Sequence, residues 1–137
     1  MNKPRKLVVK KSEFVGGAPM EVRAGVRDWK VIYPELGVDT KTLIVGIVEI
    51  EPGQHSPLHR HNCEEIYYVL NGTGEIESEG ERHPFEAGDG VYNPPNIAHR
   101  VWNTHPTETL RLLVVGGIMF VGLLPEWPTP SPYEILE

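Results

Sequence analysis

Short β-strand patterns recur along almost the whole chain, and glycine or proline separates each from the next. Residues 42–51, for example, are rich in β-branched side chains and end at a Pro-Gly pair. No segment carries apolar residues at the spacing of a capped amphipathic helix. Many short strands joined by turns are typical of antiparallel sandwiches and barrels, and a closed barrel or jelly roll also removes exposed sheet edges. The pattern therefore predicts an all-β fold, an antiparallel jelly-roll barrel.

Turn signals divide the chain into a series of predicted strands. These cover residues 28–33, 42–51, 66–70, 74–78, 82–85, 90–93, 98–102, 109–115 and 118–123. Asn71-Gly72 is the strongest short hairpin signal in the sequence, and Glu79-Gly80 marks a second candidate hairpin. The proline-rich segment 124–133 is unsuited to a central strand, so we expect it to wrap the outside of the barrel or a neighbouring subunit.

The composition is that of a single globular domain. A length of 137 residues leaves room for one core. The net charge of −6 provides no basic face to neutralise phosphates, so nucleic acid is not expected as a partner. No apolar run approaches the roughly 20 residues that span a bilayer, and the N-terminus lacks the apolar stretch of a secretory signal. The lone cysteine, Cys63, fits a reducing compartment. These features predict a cytoplasmic domain without a membrane partner.

Three histidines and one glutamate form the most informative chemical pattern. His59 and His61 are separated by one residue, so on an extended strand both rings lie on the same face, about 6–7 Å apart. Glu65 follows after a stretch long enough for the chain to turn into a neighbouring strand, and His99 must come from a distant strand. Imidazole nitrogens and carboxylate oxygens are ordinary ligands of divalent transition metals. We therefore predict that these four side chains bind one metal ion.

The residues around these side chains resemble the two sequence motifs of the cupin superfamily. The first motif reads Gly, five residues, His-x-His, three or four residues, Glu, six residues, Gly. The second reads Gly, five residues, Pro-x-Gly, two residues, His, three residues, Asn. The matching positions are Gly53, His59, His61, Glu65 and Gly72, then Gly88, Pro94, His99 and Asn103. Asn96 replaces the glycine of the second motif, and the turn is expected to survive because asparagine tolerates left-handed backbone.

The resemblance implies a small single-domain cupin with a metal near the centre of a jelly-roll barrel, commonly a homodimer. On that basis the barrel is placed at residues 28–123. Residues 1–27 would form an N-terminal arm, with a strand at the subunit interface as one option, and residues 124–137 a proline-rich C-terminal tail. The resemblance also implies a structural turn role for Asn103.

The predicted ligand set leaves the reaction open. Four protein ligands leave two adjacent positions free on an octahedral ion, as a catalytic site needs, and manganese, iron, nickel, zinc and copper all accept them. The leading hypothesis is a mononuclear dioxygenase acting on a small-molecule substrate that chelates through carbonyl, enol or carboxylate oxygens. One alternative is a metal-dependent isomerase, lyase or decarboxylase. Another is a non-enzymatic pocket for a sugar or a small effector.

Glu65 and Tyr67 are the candidate catalytic residues. If the reaction is an isomerisation or elimination, Glu65 or a cavity tyrosine would move a proton. Tyr67 shares the parity of Glu65 on the following strand, so it is expected to face the cavity. There it is either a packed barrel residue, which is the simpler interpretation, or a general acid. Glu64 should point the opposite way, and Cys63 is interpreted as a small turn residue without a functional role.

The other candidates have simpler interpretations as surface residues. His55 shares parity with His59, so it could lie near the mouth of the cavity. It precedes Ser56-Pro57, however, which favours the interpretation of His55 as a loop residue. Trp102 has the opposite parity to His99 and is expected to pack on the outer face or against another subunit. Four arginines could bind a substrate carboxylate but are interpreted as solvent-facing, and two more histidines are placed on the surface. These six residues are Arg23, Arg27, Arg100 and Arg111, with His83 and His105.

Overall fold

Antiparallel strands make up most of the computed structural model, which describes residues 5–14, 20–117 and 133–136. In this part of the chain the strands form two sheets, packed as a jelly-roll barrel. The first sheet has the order β1 (Met20–Arg23), β2 (Val26–Ile32), β3 (Leu43–Ile50), β10 (Leu110–Gly117), β5 (Glu65–Asn71), β8 (Gly90–Asn93). The second has the order β11 (Tyr133–Ile135), β4 (His59–His61), β9 (His99–Asn103), β6 (Thr73–Ser78), β7 (Glu81–Glu86).

Most predicted strands lie within two residues of the observed ones at each end. The predicted strand at residues 118–123 lies outside the described residues. The short strand β11 was not predicted, because its three residues follow a proline-rich segment and its pairing depends on β4, far away in the sequence. A helix at Lys11–Phe14 and a 3₁₀ turn at Pro34–Leu36 complete the described elements. The division into arm, barrel and tail stays a prediction.

One predicted hairpin is confirmed and the other is wrong. Glu79 and Gly80 both have positive φ, and they join the paired strands β6 and β7 as a tight hairpin. Asn71-Gly72 instead leads from β5 in the first sheet to β6 in the second. Gly72 has φ 93°, and a Cβ atom there would lie 3.2 Å from Cα of Leu110. Gly72 therefore allows the chain to turn from one sheet to the other at a point where the backbone of β10 lies too close for a side chain.

The apolar core and the polar interior occupy successive levels of the barrel. The buried apolar cluster draws on both sheets: Val26, Ile50, Tyr67, Val69, Ile76, Phe85, Val91, Val101, Leu110, Leu112 and Val114. Tyr67 lies opposite Val91 in this core, and one pleat further along the same two strands Glu65 lies opposite Asn93. Full burial of one large apolar side chain contributes about 1.5–3 kcal/mol. The apolar levels therefore support the fold independently of the polar site.

None of the helices in the described part of the chain has the length and apolar character that crossing a membrane requires.

Candidate metal centre

Strand β4 carries two of the candidate ligands. His59 and His61 are 4% and 2% exposed, whereas Arg60 between them is exposed. This alternation is that of an extended strand, and it turns both imidazoles towards the barrel interior. His99 begins β9 directly opposite His59 in the antiparallel pair, and the two ring centroids are 4.2 Å apart. The three histidines therefore meet on the inner face of the second sheet.

Glu65 reaches the histidines from the opposite sheet. It begins β5 and is 2% exposed. Its Oε1 lies 3.2 Å from Nε2 of His99 and 3.6 Å from Nε2 of His61. One ligand atom from each of the four side chains lies within 4.8 Å of the others. The structure thus brings together all four side chains that the sequence predicted as ligands, and the group is suited to holding one metal ion.

Backbone carbonyl groups orient the three imidazoles. In each ring, Nδ1 lies within hydrogen-bond distance of a carbonyl oxygen two residues away. The pairs are His59 with Pro57 at 2.7 Å, His61 with Cys63 at 2.9 Å and His99 with Ile97 at 3.0 Å. Because a carbonyl oxygen only accepts, Nδ1 carries the proton of the neutral ring and Nε2 keeps its lone pair. Metal-binding histidines are commonly held in this way. The three Nε2 atoms are therefore prepared to act as ligands.

The resulting arrangement favours a cation at the centre of the group. With a neutral His99, the lone pair of Nε2 would face Oε1 of Glu65 at 3.2 Å, and two acceptors so close repel each other. A proton on an imidazole can supply the missing positive charge, and so can a divalent metal. The donor set, with three imidazoles and one carboxylate, therefore fits a transition metal.

Burial and mutual contacts shift the ionisation of these residues in opposite directions. Burial, together with the charge of His99, lowers the pKa of His59 to about 4. Burial also disfavours the charged form of His61, but hydrogen bonds with Cys63 and Glu65 raise its pKa to about 10. Burial disfavours the charged form of Glu65 too, yet hydrogen bonds with His61 and His99 hold its pKa well below the ordinary value. Without metal, the site at neutral pH thus pairs a carboxylate with an imidazolium.

Metal binding near pH 7 should release about one proton per ion. His61 has a pKa of about 10 and is protonated without metal, whereas a metal ligand must be neutral. The number of protons released per ion should fall towards zero above pH 10. It should rise below pH 4, where His59 also becomes protonated. Calorimetric zinc titrations in buffers of different ionisation enthalpy measure the count, with a zinc–chelator titration in each buffer as the control. Binding without proton release between pH 6 and pH 8 would contradict the assignment.

Three neighbours of the ligands behave differently from one another. Tyr67 faces inward as strand parity predicted, is 4% exposed and packs within the apolar core, while its catalytic role stays a prediction. Glu64 is exposed and accepts a hydrogen bond from the Tyr92 hydroxyl at 2.6 Å, so it points away from the group. Cys63 is buried at a bend, and its carbonyl orients His61. The interpretation of the Cys63 side chain as a small turn residue stays a prediction.

Asn96 has φ 62°, the left-handed conformation expected at this position of the second motif. Its N–H donates to the carbonyl oxygen of His61 at 2.7 Å. The turn before His99 thus contacts the strand that carries the other two histidines.

Trp102 organises the outer face of the second sheet, as its parity predicted. Its ring is half-buried, with the guanidinium groups of Arg82 and Arg100 at 4.2 and 5.0 Å from the centroid. The ring centroid of His55 lies 4.3 Å from that of Trp102, so its imidazole packs against this tryptophan. All four arginines considered as carboxylate ligands contact other side chains outside the group of histidines and Glu65. Arg23 contacts His55, Arg27 contacts Glu49 and Glu51, Arg100 contacts Glu77, and Arg111 contacts Glu49.

His83 and His105 are both outside the barrel interior. The side chain of His83 is 57% exposed, as expected. His105 is half-buried, because its Nδ1 accepts the backbone N–H groups of Thr107 and Glu108 and so closes a loop. The expectation of a simple surface residue is therefore only partly right for His105.

Sequence reasoning missed several polar residues of the interior, among them Asn93, Asp28 and Tyr33. Asn93 is 0% exposed, and its Nδ2 lies 3.4 Å from Oε1 of Glu65. Asp28 and Tyr33 converge on Gly46, where an added Cβ atom would lie 3.5 Å from Asp28 Oδ1 and 3.7 Å from the Tyr33 hydroxyl. Burial raises the pKa of Asp28 to about 6, with Glu65 adding to the shift. Burial likewise raises the pKa of Tyr33.

Strand parity could have found part of this set. Asp28 shares the parity of Val26, which is 2% exposed, so an inward carboxylate was readable from the pattern. The inward position of Tyr33 could not be predicted from parity, because a register shift between Lys30 and Ile32 breaks the alternation just before it.

Comparison with known proteins points to one family. The family model described as a cupin domain matches residues 46–116. Auxin-binding protein 4 of Zea mays is 35% identical over 85 residues, which are 56% of this chain and 42% of that protein. The 5-nitrosalicylic acid 1,2-dioxygenase of Bradyrhizobium sp is 33% identical over 97 residues, 69% of this chain and 46% of that protein. The chain therefore spans about half the length of these curated relatives.

A solved structure shows the same relationship in three dimensions. The crystal structure of a predicted oxalate decarboxylase from Thermotoga maritima superposes with a TM-score of 0.67 at 27% identity, covering 81% of this chain and 98% of that one. The residues matched by the family model make up more than half of the 137-residue chain. With its two antiparallel sheets and its interior group of three histidines and a glutamate, this chain belongs to the cupin family.

Proposed function

We propose that this protein is a metal-dependent enzyme that dioxygenates a small molecule chelating through carbonyl, enol or carboxylate oxygens. The observation that carries the proposal is the convergence of three carbonyl-oriented imidazoles and the Glu65 carboxylate within 4.8 Å. A bound manganese, iron, nickel, zinc or copper ion would supply Lewis acidity and, if redox-active, electron transfer to dioxygen.

The charge of the site favours an anionic substrate. Three neutral imidazoles and one carboxylate leave one positive charge from a divalent ion uncompensated, in an interior where charges are poorly screened. An enolate or carboxylate oxygen would balance that charge. Tyr67 and Val91 form an apolar level directly beside the level of Glu65 and Asn93, which would exclude water from the reacting end of such a ligand.

The relatives support a small-molecule function of this kind. One relative is named as a dioxygenase of 5-nitrosalicylic acid, a compound whose neighbouring oxygens could chelate a metal. The match covers about half of that protein, so its substrate is not transferred to this chain. It supports the reaction class that we propose, dioxygenation at a site of this type.

A second candidate is a metal-dependent isomerase, lyase or decarboxylase, and Asp28 favours it. A general acid or base works best with a pKa near the working pH, and burial raises that of Asp28 to about 6. The pKa of Glu65 is held far below that range, which makes Glu65 a weak base. For this class of reaction Asp28 is therefore a stronger candidate than Glu65 to move the proton, with Tyr67 as a further inward hydroxyl.

A non-enzymatic binding function is the third alternative. The maize relative is named for binding auxin, and the same donor set could hold a carboxylate ligand without turning it over. This alternative predicts ligand binding by the metal-loaded protein and no product.

Oxygen consumption by the iron-loaded protein tests the leading proposal. β-Diketones, catechols and 2-keto acids are supplied in turn, and at least one class should give substrate-dependent oxygen uptake. The zinc-loaded protein is the matched control and should take up none, because zinc is not redox-active. Product formation under strict anaerobiosis would overturn dioxygenation in favour of the second candidate, and loss of that activity in Asp28→Asn with metal retained would support it. Binding without turnover in both metal forms would favour the third.

A further inference from the structure

Two buried glycines face the barrel interior next to the metal ligands. Gly116 on β10 lies opposite Glu65, and Gly46 on β3 lies opposite Val114, which is in turn opposite Tyr67. Both glycines occupy inward positions of their strands and are buried. A Cβ atom added at Gly116 would lie 3.8 Å from the nearest described atom outside the adjacent residues. The absence of two side chains therefore leaves room at the level of Glu65 and at the next level of the barrel.

Three oxygen atoms surround the position where a side chain of Gly46 would begin. A Cβ atom there would lie 3.1 Å from the carbonyl oxygen of Trp29, 3.5 Å from Oδ1 of Asp28 and 3.7 Å from the Tyr33 hydroxyl. We term these three atoms the oxygen cluster. Among the described residues, neither the Asp28 carboxylate nor the Tyr33 hydroxyl makes a hydrogen bond, although Tyr33 is only 5% exposed. Because buried polar groups are costly when unpaired, the oxygen cluster favours a bound group that donates hydrogen bonds.

The electrostatics of the oxygen cluster also favour a donor. Burial raises the pKa of Asp28 to about 6, while Lys30 opposes the shift and Glu65 adds to it. Burial, Asp28 and Glu65 all raise the pKa of Tyr33, so its hydroxyl stays protonated. The ammonium group of Lys30 pairs with Glu35. At neutral pH the oxygen cluster therefore contains a carboxylate that accepts hydrogen bonds, within the electrostatic range of Glu65.

The oxygen cluster and the metal ligands are close enough for one small molecule to contact both. Gly46 and Glu65 are separated by two strand spacings and one pleat, so their backbones lie about 12 Å apart. The Glu65 side chain and the oxygen cluster both extend into the interior, which shortens the distance between them. A molecule with a single ring can therefore place one end at the metal and the other at the oxygen cluster.

We propose that the oxygen cluster binds a hydroxyl or ammonium group of the substrate while anionic oxygens of the same molecule bind the metal. This inference rests on the proposed function, because it requires a substrate that chelates the metal. It narrows the substrate class to small chelating anions with a hydrogen-bond donor at the far end. A molecule without that donor would leave the Asp28 carboxylate and the Tyr33 hydroxyl buried and unpaired, which is a strong basis for discrimination.

Calorimetric titration of the zinc-loaded protein with three catechols tests this proposal. The three compounds, 4-methylcatechol, 3,4-dihydroxybenzyl alcohol and 3,4-dihydroxybenzylamine, share a chelating head and differ in the distal methyl, hydroxyl or ammonium group. The alcohol or the amine should bind at least about 10-fold more tightly than 4-methylcatechol, and the tighter of the two identifies the preferred donor. Equal affinities for the three compounds would overturn the oxygen cluster as a binding site and leave metal chelation intact. If the zinc-loaded protein binds none of them, the proposed function fails and this inference fails with it.

Two variants test whether Asp28 and Tyr33 cause the preference. Tyr33→Phe keeps the ring and removes the hydroxyl, so it should lower the affinity for the preferred catechol about 10-fold and leave that for 4-methylcatechol unchanged. Asp28→Asn removes the negative charge and should lower the affinity for the amine at least as much. Tyr68→Phe and Asp39→Asn, at an exposed tyrosine and an exposed aspartate, are the matched controls and should change none of the three affinities.

Near-ultraviolet circular dichroism and zinc content show whether each variant keeps the barrel and the metal site. A folded, zinc-loaded Tyr33→Phe protein that prefers the alcohol or the amine as strongly as the unaltered chain would overturn the proposal.

Discussion

Replacing His99 with alanine should lower the affinity for zinc at least 100-fold while the barrel stays folded. Structural zinc sites with four ligands contribute about 10–16 kcal/mol, so one ligand of four corresponds to about 3 kcal/mol, or roughly 100-fold. The Glu65 carboxylate keeps its contact with His61 at 3.6 Å, so the substitution does not leave a buried charge alone. Zinc competition with a chromophoric chelator measures the affinity, and circular dichroism measures the fold.

His83→Ala is the matched control for this experiment. His83 is an exposed histidine on β7, and its Nε2 lies 3.7 Å from Glu81 on the surface. Its loss should leave both the affinity and the stoichiometry of about one zinc per chain unchanged. An equal loss of affinity in the two variants, or a folded His99→Ala protein that binds zinc as tightly as the unaltered chain, would contradict the assignment of this group as the metal site.

Local alternation predicted the strands well because each strand has one buried face. Residues 90–93 are an example: buried Val91 and Asn93 alternate with exposed positions, and the predicted bounds coincide with β8. Alternation cannot say which sheet a strand joins. Asn71-Gly72 carries the local signal of a hairpin, yet β6 crosses to the second sheet, because the corner is set by contact with Leu110 and Thr109 on a distant segment.

The candidate site was predictable where its residues lie in motifs and unpredictable where tertiary contacts place them. His59 and His61 sit on one strand, so their shared direction follows from the pleat. Asp28 and Tyr33 meet at Gly46 because β2 pairs with β3. This pairing contains a register shift that cannot be predicted from the sequence pattern. The ionisation of Asp28 depends in turn on burial and on Glu65 across the barrel.

Replacing Asn103 with alanine should lower the free energy of unfolding by about 3 kcal/mol. Asn103 is 3% exposed, and its Nδ2 donates to the carbonyl oxygens of Ile50 and Glu108, each at 2.8 Å. Its Oδ1 accepts the N–H of His105 at 2.8 Å. Alanine would remove three hydrogen bonds, each with a net contribution of about 1 kcal/mol, and leave polar backbone groups unsatisfied beside the core. Urea denaturation followed by tryptophan fluorescence measures the loss.

Asn71→Ala is the matched control, because it makes the same substitution at an exposed residue with one hydrogen bond, from Nδ2 to the carbonyl oxygen of Thr109 at 3.0 Å. Asn71→Ala should lower the free energy of unfolding by less than about 1 kcal/mol. Asn103 ends the strand that His99 begins, so the two residues are about 13 Å apart along the chain. Because of this separation, the Asn103→Ala protein should still bind about one zinc ion per chain. If Asn103→Ala is no less stable than Asn71→Ala, Asn103 does not hold the barrel end together. If the Asn103→Ala protein is folded but does not bind zinc, Asn103 also positions the metal-binding residues.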